Sequence, residues 1–165
     1  MSEVVVNPYR FVSAVPDCFE DGTDSWTSDC GACTNNFLGQ KIDAGSARIG
    51  TEITELSFFL ALTQANADVT MEFGVYDDSA STFNALGTFN SSSLSTSFQK
   101  LTVTGSAITI AVNDILYAKN NSAFVSSRKL KFQYDTSAPA ANEHAIRYAG
   151  SWIDDFSGDL NYCAS

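Results

Sequence analysis

The chain has 165 residues, of which 44% are hydrophobic and 12% aromatic but only 17% charged, and it carries a net charge of −10. That length suits one domain with a core large enough to need neither metals nor disulfides. The acidic balance repels phosphate backbones and anionic lipid surfaces, which argues against nucleic-acid partners and turns the chain outward in any nucleoprotein particle; no run approaches the ~20 apolar residues of a membrane helix, which argues against insertion by a helix.

In chain order, Met1-Ser2-Glu3-Val4-Val5-Val6-Asn7-Pro8 lacks the basic start, apolar stretch and small-residue cleavage site of a secretion signal. The expectation is a chain that stays in the cell that makes it, leaves by another route, or has had a signal removed. Tyr9 to Val15 and Phe37 to Ala44 read as strands on either side of a cysteine-containing loop. From there the dominant signal is period two, the mark of a half-buried strand. Leu56, Phe58, Leu60 and Leu62 form one apolar row after the Thr-rich lead Thr51 to Thr54, and Val69, Met71, Phe73 and Val75 form the next. Further rows are Leu101 and Val103; Ile108, Ile110 and Val112; and Leu130, Phe132 and Tyr134. Turn signals separate them at Asp77-Asp78-Ser79, Gly105-Ser106, Asn113-Asp114 and Asn120-Asn121-Ser122. Between the second and third rows, Ser79 to Thr96 reads as a long polar excursion anchored by Leu86 and Phe89, the kind of loop on which β scaffolds carry recognition. Between Pro139 and Phe156 two readings compete. Ala145, Ile146, Ala149, Trp152, Ile153 and Phe156 recur at helical spacing after an N-cap candidate, Ser137, whereas Gly150 and the β-favouring Ile146, Tyr148 and Trp152 favour a strand. The sum is an all-β single domain, an antiparallel β-sandwich of jelly-roll type with about eight to ten strands. Residues 1–45 form its arm and cysteine-rich loop, and residues 46–165 its body.

Four cysteines are the sharpest chemical feature. Cys18, the C-x-x-C pair Cys30 and Cys33, and the distant Cys163 admit either disulfides or a zinc site. Three disulfide pairings are open, and zinc is disfavoured because Cys18 and Cys163 make no second knuckle. A thioredoxin-type role does not fit, since no βαβ pattern surrounds the motif. Asp21, Asp24 and Asp29, in the acidic loop, are candidate calcium ligands; the loop fails the EF-hand pattern, and a solvated loop is the plainer reading. Asp77-Asp78 and Asp154-Asp155 are adjacent pairs, which point to opposite faces of a strand and not across a cleft as glycosidase carboxyls do. The lone His144 has no G-x-S-x-G elbow beside it and is expected at the surface or an interface. No phosphate-cradling or dinucleotide motif is present, so no catalytic residue is assigned. Trp26, Trp152, Tyr148 and Tyr162 are the candidate sugar-stacking aromatics, Trp26 for its polar neighbours; for Trp152 and Tyr148 the alternative is core filling.

Three stretches carry a resemblance: Val6-Asn7-Pro8-Tyr9-Arg10-Phe11, Ala47-Arg48-Ile49-Gly50-Thr51-Glu52-Ile53-Thr54, and Thr109-Ile110-Ala111-Val112-Asn113-Asp114-Ile115-Leu116-Tyr117. With the Ser/Thr/Asn-rich strand pattern, the chain resembles the jelly-roll decoration and fibre proteins of tailed bacteriophages, at the level of architecture over Ile49 to Tyr134. The resemblance implies symmetric assembly on a virion and transfers no functional residues; the cysteine-rich loop departs from it. Assembly in a host cytoplasm and release by lysis reconciles an extracellular character with the missing export signal, and any disulfide then forms late. The expectation is a non-enzymatic structural protein of a virion or particle surface, a capsid-decoration or fibre subunit that contacts other protein subunits as a homo-oligomer. The alternative is a lectin-like carbohydrate-binding module on an extracellular surface.

Overall fold

The structure, a computed structural model, describes residues 18–19, 24–27, 37–64, 68–121, 129–136, 142–154 and 158–165. Its strands are β1 (Cys18–Phe19), β2 (Asp24–Thr27), β3 (Phe37–Ile42), β4 (Glu52–Leu62), β5 (Thr70–Asp77), β6 (Thr82–Asn90), β7 (Gln99–Thr109), β8 (Ile115–Asn120), β9 (Leu130–Asp135), β10 (Glu143–Tyr148), β11 (Trp152–Ile153), β12 (Asp159–Leu160) and β13 (Tyr162–Ala164). They form two packed antiparallel sheets, the β-sandwich that the alternating rows imply.

In the first sheet β4 is the spine. One edge pairs with β7; the other is shared by β13, opposite Leu56 to Phe58, and β9, opposite Leu60 to Leu62. β12 pairs with β9, so residues 159–164 fill the wedge where β4 and β9 part, while β1 and β2 flank β13 and β9. The second sheet runs β11-β10-β3-β8-β5-β6. The rows Leu56, Phe58, Leu60, Leu62 and Val69, Met71, Phe73, Val75 are buried as expected. They meet between the sheets, where the Phe58 and Phe73 rings pack edge to face at 5.2 Å.

A polar cluster stitches the C-terminal strand into this core. Arg48 Nε donates to Tyr162 Oη at 2.8 Å and Nη1 to the Ala164 carbonyl at 3.2 Å. Glu143 Oε1 lies 3.4 Å from Arg48 Nε and accepts from Ser46 Oγ at 2.7 Å, and its other oxygen accepts from Tyr162 Oη. Nearby, Gln40 bridges to Asp159 and accepts from the Leu160 amide. Each side chain of this cluster thus has a partner, which is the condition for a polar cluster to be tolerated inside.

Three expectations are corrected, and one open choice is decided. Ser79 to Thr96 is no long loop, because Thr82–Asn90 is strand β6 and Ser91–Ser93 one 3-10 turn capped by Asn90. Gly105-Ser106 is no turn: β7 runs through it, with the pairing to β4 shifting between Ile53 and Glu55, and Gly105 sits against the Leu86 carbonyl, where a Cβ would not fit. Val112 is 45% exposed, since β7 ends before it. Of the competing readings for 139–156, Glu143–Tyr148 and Trp152–Ile153 are strands, joined through Gly150 at φ 87°. Tyr9 to Val15 lies outside the described residues.

Candidate binding face

Strand register decides which side chains share a face. Because Phe73 meets the first sheet, its row partner Ala118 and the alternate residues Leu38, Leu116 and Val75 point inward. The intervening residues of the second sheet point away from the sandwich. In a two-layer fold that side is ordinarily polar. Here it carries Trp152, Tyr148 and Phe37 in one row (Trp152↔Tyr148↔Phe37), Tyr117 in the next, and Tyr76 with Phe83 beyond it.

Two glycines create the room for this layer. Gly39 and Gly74 are the register partners of Tyr117 on the neighbouring strands, so neither strand sets a side chain directly opposite it. A Cβ on Gly39 would come within 2.9 Å of Trp152 Cη2 and 2.5 Å of Ile115 Cγ2. The indole therefore reaches across β10 from the sheet edge and lies over β3. Its ring packs against Phe37 at 5.7 Å, Tyr148 at 5.0 Å and Tyr76 at 5.6 Å, and Phe83 joins at 5.0 Å from Tyr117. Most of these contacts are edge to face, the favourable orientation for ring quadrupoles. Phe37 and Tyr117 are fully buried, whereas Tyr76, Phe83, Tyr148 and Trp152 are half-buried. The Trp152 Nε1 donor is buried and has no acceptor among the described residues.

Charged groups border the rings. Lys119 Nζ stands 4.4 Å above the Phe83 ring and 3.0 Å from Glu72 Oε1. Glu72 also accepts from Tyr117 Oη at 2.7 Å and from Asn121 Nδ2 at 3.2 Å. Burial pushes the Glu72 carboxyl up, but hydrogen bonds from Tyr117 and Lys119 and the Lys119 charge outweigh it and hold the group below the usual carboxylate range. On the other side His144 lies between two acids, Nδ1 at 2.5 Å from Asp43 Oδ2 and Nε2 at 3.3 Å from Asp154 Oδ1, with Lys41 Nζ 3.5 Å from Asp43 Oδ1.

Of the candidate sugar-stacking residues, Tyr148 and Trp152 are thus brought together, Trp26 is not, and Tyr162 is fully buried in the core and can stack on nothing outside. Trp26 sits in the first sheet, half-buried, with its ring 6.0 Å from Phe132. Phe37, Tyr76, Phe83 and Tyr117 complete the face although none was a candidate. Cys18 and Cys163 are joined in a disulfide, which removes two of the four thiolates a zinc site would use; Cys30 and Cys33 lie outside the described residues. Asp24 is exposed and accepts from Thr136 Oγ1 at 2.9 Å, while Asp21 and Asp29 also lie outside. Among the described residues no three His, Cys, Asp or Glu side chains converge as metal ligands. No protein-family model, curated protein or solved structure matches this chain.

Proposed function

We propose that this chain is a non-enzymatic subunit of a particle surface, a decoration or fibre component, and that the outer face of its second sheet packs onto a neighbouring protein subunit. The observation that carries the reading is the aromatic layer outside the core. A sandwich needs apolar residues only between its sheets, yet here four half-buried rings reach solvent on the far side, bordered by Lys119, Glu72 and Asn121. Apolar rings at the centre and paired charges at the rim are the anatomy of protein interfaces. The net charge of −10 favours an outward position on a particle, away from its genome.

Light scattering of the purified chain tests this. The expected result is a defined oligomer, or capture by assembled shells, that Tyr148→Ser and Tyr76→Ser abolish while the circular-dichroism spectrum is unchanged. A wild-type chain that remains monomeric and binds no shell refutes it. A second reading, glycan binding, is favoured by one feature: Tyr148 and Trp152 stand side by side on the face that also carries the hydrogen-bonding groups of Glu72 and Asn121, with β3 and β8 between Tyr148 and Glu72. It requires glycan-array signals that Trp152→Ala removes.

A further inference from the structure

We propose that Cys18 is a thiol-exchange site, and that the Cys18–Cys163 bond is a clasp closed by small disulfides onto a sandwich that has already folded. The two ends of the bond are held very differently. Cys163 is placed by contacts that do not involve sulfur. β13 pairs with Leu56, Ser57 and Phe58, Ser165 exchanges backbone hydrogen bonds with Thr54 and Glu55, and Arg48 grips Tyr162 and the Ala164 carbonyl. Cys18, by contrast, belongs to a two-residue strand paired, among the described residues, through Cys18↔Cys163 and Phe19↔Tyr162. Its neighbour across the bond is 5% exposed, whereas Cys18 itself is exposed. An incoming reagent therefore meets Cys18 first.

Lys100 gives that sulfur its reactivity. Its Nζ lies 3.6 Å from Cys18 Sγ. In the reduced protein a cation at that distance favours thiolate over thiol, and the thiolate is the nucleophile. Closure then runs in two balanced steps. The Cys18 thiolate attacks a small disulfide RSSR, forming Cys18–S–SR and releasing RS⁻. The Cys163 thiolate next attacks Cys18 Sγ, forming the protein disulfide and releasing the second RS⁻. The two protons lost by the protein thiols end on the two RS⁻, and RSSR is reduced as the cysteines are oxidised. Such a clasp stays open in a reducing cytoplasm and shuts once the chain meets an oxidising medium.

The test uses the full chain carrying Cys30→Ser and Cys33→Ser, reduced and then mixed with oxidised glutathione, with acid-quenched samples read by intact mass and peptide mapping. The expected result is a reduced protein that keeps its β-sheet spectrum, a transient glutathione adduct on Cys18, and conversion to the Cys18–Cys163 bond. With Cys163→Ser added, the adduct accumulates on Cys18. There Lys100→Gln slows its formation about two- to threefold at low salt. That factor combines a charge pair at about 4 Å in water with the lower intrinsic nucleophilicity of a more acidic thiol. Lys100→Arg restores the rate, and high salt erases the difference. An unfolded reduced protein, a first adduct on Cys163, or a Lys100→Gln rate equal to the parent's overturns the proposal.

Discussion

Replacing Arg48 with Met probes how the C-terminal strand is held. Arg48 is 2% exposed and its partner Glu143 7%, so the pair sits in the low-dielectric space between the sheets. The substitution removes a donor to Tyr162, a donor to the Ala164 carbonyl and the charge opposite Glu143. Truncating one member of a buried pair costs about 3–5 kcal/mol, mostly because the other charge stays buried and uncompensated. Glu143 retains Ser46 and Tyr162 as donors, which places the expected loss near the lower end, about 3 kcal/mol. For a domain of this size that corresponds to a fall in Tm of roughly 6–12 °C. Adding Glu143→Gln removes the stranded charge while leaving an amide oxygen to accept from one of the Ser46 and Tyr162 hydroxyls and an amide N–H for the other to accept, so the double variant should recover about 1–3 kcal/mol of the loss. Urea unfolding followed by circular dichroism gives both numbers. Amide exchange at Tyr162 to Ala164 should accelerate in Arg48→Met before global unfolding does. An Arg48→Met protein within about 0.5 kcal/mol of the parent would refute the reasoning. A double variant no better than the single would show that the stranded charge is not the cause.

Gly39→Ala should cost about 1–3 kcal/mol, because its Cβ collides with Ile115 and Trp152; with Trp26→Phe as background, the Trp152 emission should shift as the indole lifts. An unchanged emission would mean that the indole does not lie over Gly39. Alkali should unfold the protein through its buried phenols. Burial raises Tyr162 well above the usual range, with Arg48 opposing and Glu143 adding, and burial together with Glu72 raises Tyr117. Their contribution is complete below the ordinary tyrosine value of 10.0 and is lost as pH climbs from there towards the raised folded values. Ultraviolet titration should therefore show two tyrosines ionising only with unfolding; six ionising together while the fold persists contradicts their burial. Finally, the clasp closes a span of 145 residues, so the chain-entropy model assigns it about 5 kcal/mol. Cys18→Ser and Cys163→Ser should lose similar amounts in oxidised samples, and losses differing more than twofold would locate the effect in one thiol's packing.

Alternation along Leu56 to Leu62, Val69 to Val75 and Leu130 to Tyr134 was enough to establish strands, their inward faces and an all-β sandwich, because a period of two is a local property of the chain. The same locality misled at β6. The register shift between Phe73 and Gly74 inserts a residue opposite, so Phe83 and Leu86 fall out of step and the stretch reads as a loop. At 143–153 it left two readings open, because helical spacing coexists with a hairpin turned by Gly150. Trp152 and Tyr148 stood out by residue type alone, but their union with Phe37, Tyr76, Phe83 and Tyr117 depends on which strand lies beside which. Likewise, the pairing of Cys18 with Cys163 follows from β1 lying against β13. Composition and periodicity thus determined the class of fold and which residues turn inward. Neighbours in the sheets, the aromatic layer and the disulfide were decided by contacts between distant segments, whose choice rests on packing and loop closure and leaves no periodic trace in the chain.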